Sequence, residues 1–80
     1  MNIDTLVQMA NAIGQFFDSM PDRDEALDGV ANHLRRYWEP RMREQLLARA
    51  GEGEIEALHP LVADALRSRR AALLPVPRGA

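Results

Sequence analysis

The sequence predicts a small all-α protein, a single-domain bundle of three to four helices. Apolar residues recur at steps of three and four through most of the 80-residue chain, which is the period of an amphipathic helix. No stretch alternates apolar and polar residues in the way that predicts a β-strand. Prolines fall between the periodic segments, where they are typical of helix boundaries.

The first helix is predicted from an apolar face near the N-terminus, formed by Ile3, Leu6, Val7, Ala10, Ile13, Phe17 and Met20. Met9 and Phe16 widen this face, so we expect it to be covered on more than one side, by the rest of the chain or by another one. Gly14 costs a helix interior up to ~1 kcal/mol relative to alanine, which predicts a close helix crossing there. Pro21 should end the helix at Met20.

The second helix is predicted to begin at Asp22, an N-cap residue with Glu25 three positions later. Its apolar face consists of Ala26, Leu27, Val30, Ala31, Leu34 and Trp38. If the helix continued straight through Pro40, Arg41 and Gln45 would lie at the centre of that face at ~100° per residue. We therefore expect a helix break near Pro40 and a third helix with its own apolar face of Met42, Leu46, Leu47 and Ala50.

Gly51 and Gly53 are signals that end the third helix, and Pro60 suits the first turn of a fourth, which continues at helical spacing to Leu73. Residues 1–74 form the predicted domain, and residues 75–80 a flexible tail that begins at Pro75. The residues predicted to form the structural core are Phe17, Leu27, Leu34, Trp38, Met42 and Leu46.

The size of the chain and its N-terminal segment limit the class of protein that it can be. A core of this size rarely supplies more than ~3–5 kcal/mol, so we expect oligomerisation or docking on a larger partner. The apolar face of the first helix could form a homodimer in isolation. The N-terminal segment resembles neither a signal sequence nor a membrane span, which predicts a cytoplasmic protein without membrane contact.

The sequence offers no pattern that predicts catalysis. His33 and His59 lie on different predicted helices without ligand spacing, and the chain has no cysteine. There is neither a P-loop nor a GxGxxG motif. We therefore expect no catalytic residue, metal site or cofactor site in this chain.

The candidate functional residues are four arginines around the predicted break: Arg35, Arg36, Arg41 and Arg43. Arginine is a frequent anchor of protein interfaces, which favours a partner-binding surface. The alternative is a small arginine-rich nucleic-acid-binding regulator, because Tyr37 and Trp38 interleave with these arginines. A formal net charge of −2 and the lack of lysine oppose that alternative.

Four segments in the same order resemble the delta subunit of cytoplasmic NAD-dependent, molybdenum-containing formate dehydrogenases: MANAIGQFF, MPDRDEAL, HLRRYWEPRMREQLL and LHPLVADAL. The similarity runs from Met1 to Leu66, and its most specific part is WEPRMR, residues 38–43. The resemblance implies a non-catalytic subunit or assembly factor that binds the catalytic alpha subunit, with the beta and gamma subunits as further candidate partners. It also implies that molybdopterin-guanine dinucleotide, iron–sulfur clusters, FMN and NAD are held by those other subunits. The sequence leaves open whether the chain is a permanent subunit or a transient assembly factor.

Overall fold

The computed structural model describes residues 2–51 and 57–74 and folds them into helices joined by short turns. No strand occurs in these residues, which confirms the all-α class. The predicted tail, residues 75–80, and Gly53 lie outside the described residues. In chain order the helices are α1 (Ile3–Phe17), α2 (Arg23–Tyr37), α3 (Pro40–Gly51), α4 (Pro60–Ser68) and α5 (Arg70–Leu73).

Side chains cap the start of three helices, where the first N–H groups have no partner within the helix. The Asn2 side-chain oxygen accepts a hydrogen bond from the backbone N–H of Asp4 at 2.7 Å. The Asp22 carboxylate accepts from the N–H groups of Asp24 and Glu25 at 2.9 and 3.3 Å, which confirms the predicted N-cap. At the start of α4, a ring nitrogen of His59 accepts a hydrogen bond from the Leu61 N–H.

The last predicted helix is divided in two, so the described residues hold five helices instead of three or four. Helix α4 ends at Ser68, and Arg69 adopts φ −117° and ψ 24° before α5 continues to Leu73. The Ser68 hydroxyl donates to the Asp64 carbonyl at 2.7 Å, a contact that often bends helices. Arg69 donates to the Asp28 carboxylate on α2 at 2.8 Å, and this contact between distant residues stabilises the bend.

Helices α2 and α4 each contact all four of the other helices, and the contact between α2 and α4 is the most extensive. Four of the predicted core residues are buried: Leu27, Leu34, Trp38 and Leu46. The other two, Phe17 and Met42, are partly buried and pack against the edge of the core. No polar or charged residue in the described ranges is buried, so the core is apolar.

Helices α1 and α4 cross closely at Gly14. A Cβ atom on Gly14 would lie 2.7 Å from Val62 Cγ2 and 3.1 Å from His59 Cγ, so the predicted close crossing is confirmed. The Asn11 side chain joins the same two elements, because its amide nitrogen donates to the Ala57 carbonyl at 2.6 Å and its oxygen accepts from the His59 N–H at 2.7 Å. The turn before α4 is therefore held against α1 at two positions, Ala57 and His59.

Candidate partner-binding surface

The break between α2 and α3 positions the predicted site. Helix α2 ends at Tyr37, Trp38 adopts an extended backbone conformation, and α3 begins at Pro40. Proline fixes this geometry because it disfavours the α conformation in the preceding residue, Glu39, and suits the first turn of a helix. The Trp38 side chain turns into the core and is 6% exposed. The helix break is therefore confirmed near Pro40.

Arg43 connects the two helices across this break. One of its terminal guanidinium nitrogens donates to the Arg35 carbonyl at 2.6 Å and approaches the Trp38 carbonyl at 3.4 Å. The last carbonyl groups of a helix have no partner within it, so Arg43 satisfies groups that α2 leaves open. Its Nε is buried without a hydrogen-bond partner in the described part of the chain. We therefore assign Arg43 a structural role at the break, and the partner-binding role predicted for it stays a prediction.

The other three predicted arginines, Arg35, Arg36 and Arg41, are exposed. Within residues 2–51 and 57–74, no hydrogen bond or ion pair engages their guanidinium groups. Arg35 and Arg36 point about 100° apart around α2 because they are adjacent on a helix. These three side chains do not share one face, but each is available to a partner.

Three arginines elsewhere in the described chain, Arg23, Arg67 and Arg69, are paired with carboxylates. Asp64 binds Arg23 at 3.2 Å and Arg67 at 2.6 Å, which connects α2 with α4. Arg69 binds Asp28 at 2.8 Å, and this hydrogen bond raises the pKa of Arg69 above its ordinary value. Because the guanidinium is already charged at neutral pH, the shift changes no protonation state there. Among the residues that the structure describes, no carboxylate pairs with Arg35, Arg36 or Arg41, in contrast to the three paired arginines.

Two aromatic side chains are exposed, Phe16 near the end of α1 and Tyr37 at the break, and sequence reasoning did not combine them into one functional surface. Phe16 is 74% exposed and Tyr37 is 68% exposed. We define the aromatic row as Phe16, Phe17, His33 and Tyr37, whose successive ring centroids are 5.0, 6.3 and 4.8 Å apart. The sequence contains one signal for this row. Gly29, His33 and Tyr37 are spaced four residues apart on α2, which places them on one side of the helix.

Neither predicted histidine belongs to a metal-binding cluster in the described residues. His59 Nδ1 accepts a hydrogen bond from the Leu61 N–H at 3.1 Å, in agreement with its predicted place at a helix start. His33 lies in the aromatic row. Within the described ranges, no three His, Cys, Asp or Glu side chains are grouped in a way that could hold a metal ion. Nor is any helix of those ranges long and apolar enough to cross a membrane.

A comparison with protein-family models agrees with the resemblance found in the sequence. The comparisons with curated proteins and with solved structures found no match. A family model described as the NADH-dependent formate dehydrogenase delta subunit, FdsD, matches residues 5–66, which run from α1 into α4. This match covers well over half of the 80 residues. The chain belongs to the family of NADH-dependent formate dehydrogenase delta subunits.

Proposed function

We propose that this chain is a non-catalytic subunit or assembly factor that binds the molybdenum-containing alpha subunit of a cytoplasmic formate dehydrogenase. Its role is to stabilise the complex or to help the alpha subunit receive its cofactor. The observation that carries this proposal is the family match, which spans α1, α2, α3 and most of α4. Molybdopterin-guanine dinucleotide, iron–sulfur clusters, FMN and NAD are assigned to the other subunits.

Three arginines without a carboxylate partner in the described part of the chain support a binding role. An exposed ion pair contributes only ~0–1 kcal/mol to stability, so pairing Arg35, Arg36 and Arg41 within the chain would stabilise the fold little. At a protein interface, the planar guanidinium group binds carboxylates through two parallel hydrogen bonds. These residues are therefore better suited to a partner than to the fold.

Co-purification with the alpha subunit tests the proposal. The tagged chain is expressed with the other formate dehydrogenase subunits, and the expected result is that the alpha subunit elutes with it. Deleting the chain should lower either the amount of intact complex or its molybdenum content. If the alpha subunit never elutes with the chain, and the enzyme assembles fully active without it, the proposal is wrong.

Two arginine variants test the surface. Arg36→Ala and Arg41→Ala should each weaken the affinity for the alpha subunit about tenfold, which corresponds to ~1.4 kcal/mol. Arg70→Ala is the matched control, because Arg70 is also exposed but lies on α5, away from the break. Equal losses for all three variants, measured by biolayer interferometry, would show a nonspecific charge effect.

Metal analysis separates a permanent subunit from an assembly factor. A permanent subunit elutes with an alpha subunit that contains molybdenum and oxidises formate. An assembly factor elutes mainly with an alpha subunit that lacks molybdenum and is released once the cofactor has been inserted. The molybdenum content of the eluted complex, measured by elemental analysis, therefore decides between the two roles.

A further inference from the structure

The aromatic row contributes more surface than the fold uses. It contains three of the four Phe, Trp and Tyr residues in the chain, and only Trp38 is buried in the core. Phe16 and Tyr37, at the ends of the row, are the two most exposed large apolar side chains in the described ranges. Because hydrophobic stabilisation scales with the apolar area removed from water, these two rings contribute little to folding.

The inner part of the row is held firmly against α2. The Phe17 ring lies directly over Gly29, where a Cβ atom would approach Phe17 Cδ1 to 2.5 Å and Cε1 to 2.6 Å. His33 follows Gly29 by one helical turn and contacts Tyr37 one turn further on. The row therefore extends from the end of α1 along one side of α2 to the break. Aromatic side chains held in this way are typical anchors of protein interfaces.

The charge beside the row is positive at its Tyr37 end, whereas Glu25 and Asp18 lie towards its Phe17 end. Arg36 lies three residues after His33, so the two side chains are neighbours on the helix surface. The segment from His33 to Arg43 contains four arginines and one glutamate, in a chain of net charge −2. Arg36 has no carboxylate partner among the described residues. A surface of this charge is complementary to carboxylates.

We infer that the aromatic row is the docking site for a partner segment that packs apolar side chains against the exposed rings of Phe16 and Tyr37 and pairs a flanking carboxylate with Arg36. The occupant is an acidic, apolar segment of another protein. The inference deepens the proposed function, because it specifies the face used, and it rests on that proposal for the identity of the partner. Arg35 points to a different side of α2 and is not part of this contact.

Photo-cross-linking in cells that contain the full set of subunits tests this inference. p-Benzoylphenylalanine replaces Tyr37 in the full-length chain, and Ala72, an exposed position on α5, is the control site. The expected result is an adduct from position 37 and none from position 72. Mass spectrometry should place the adduct on a segment in which Asp or Glu flanks an apolar residue.

Three results would overturn the inference: no adduct from position 37, an adduct only with a second copy of this chain, or an adduct on a segment without carboxylates. The identity of the cross-linked protein is a separate readout. If the segment is acidic and apolar but belongs to a protein other than the alpha subunit, the docking chemistry holds and the proposed partner is wrong. If the alpha subunit co-purifies but position 37 gives no adduct, the proposed function holds and this docking site is wrong.

Variants test the two halves of the contact separately. Phe16→Ser and Arg36→Glu should each reduce the adduct yield about tenfold while leaving the melting temperature unchanged, because both side chains are exposed. Gln15→Ser is the control for an exposed neighbour on α1. Replacing the partner's flanking carboxylate with arginine should restore the adduct with Arg36→Glu. Failure of this exchange, or full adduct yield from Phe16→Ser, would contradict the inference.

Discussion

At the scale of single residues, Arg43 and Arg41 have the same chemistry but different roles. Arg43 donates to carbonyl groups at the end of α2, whereas Arg41 is exposed. We expect Arg43→Ala to lower the free energy of unfolding by ~1.5–3 kcal/mol, the range for hydrogen bonds to charged groups. Arg41→Ala should change it by less than ~0.5 kcal/mol. Urea denaturation measures both, and equal losses would show that Arg43 is not a structural link.

The sequence could not separate these two arginines. Both lie within four residues of Pro40, and both fall outside the predicted apolar face of α3. Their difference depends on where the end of α2 lies relative to the first turn of α3, because only Arg43 reaches the open carbonyl of Arg35. That position is set by tertiary packing around the buried Trp38 side chain, which local patterns do not specify.

At the scale of the helices, the close crossing of α1 and α4 makes Gly14 sensitive to substitution. Alanine would improve the helix propensity of α1, but its Cβ would lie 2.7 Å from Val62 Cγ2. We expect Gly14→Ala to destabilise the protein by ~1–3 kcal/mol, as overpacking does. Gln15→Ala, an exposed neighbour, should have little effect. Thermal denaturation monitored by circular dichroism compares the two variants.

A double-mutant cycle checks the cause of this loss. Val62→Ala removes the methyl group that the new Cβ would meet, although it also leaves a small cavity. The double variant should therefore be more stable than the sum of the two single losses, by ~0.5–3 kcal/mol of coupling. Additive losses would indicate that Gly14 is needed for some reason other than its contact with Val62.

The helix boundaries show which features of the fold could be predicted from neighbouring residues alone. Asp22 and Pro40 predicted where α2 and α3 begin, because N-capping and the proline ring act on neighbouring residues. The bend at Arg69 was missed, since neither glycine nor proline marks it. Its partner, Asp28, is 41 residues away in the sequence. Contacts of that kind become visible only when the helices are placed together.

At the scale of the whole molecule, the all-α class and most of the core followed from periodicity, but the exposed aromatic row did not. Phe16 lies on the apolar side of α1, so the sequence predicted that something would cover it. The described part of the chain leaves it 74% exposed. An apolar periodic position indicates that a side chain avoids water, but it does not specify whether the same chain or a partner provides the cover.

The stability of the whole domain depends on Trp38, because a chain of 80 residues has a small margin of stability. Trp38 is 6% exposed in the core, so Trp38→Ala should cost ~3–5 kcal/mol, which is comparable to the total that a core of this size supplies. We therefore expect the variant to be unfolded at room temperature, with loss of the helical circular dichroism signal.

Tyr37→Ala is the matched control, since the adjacent ring is 68% exposed and its removal should leave the melting temperature nearly unchanged. If both variants unfold, the aromatic row stabilises the fold itself; if neither does, Trp38 is not central to the core. Because a ligand that binds only the folded state raises its apparent stability, adding the proposed partner, the alpha subunit, should partly restore the helical signal of Trp38→Ala.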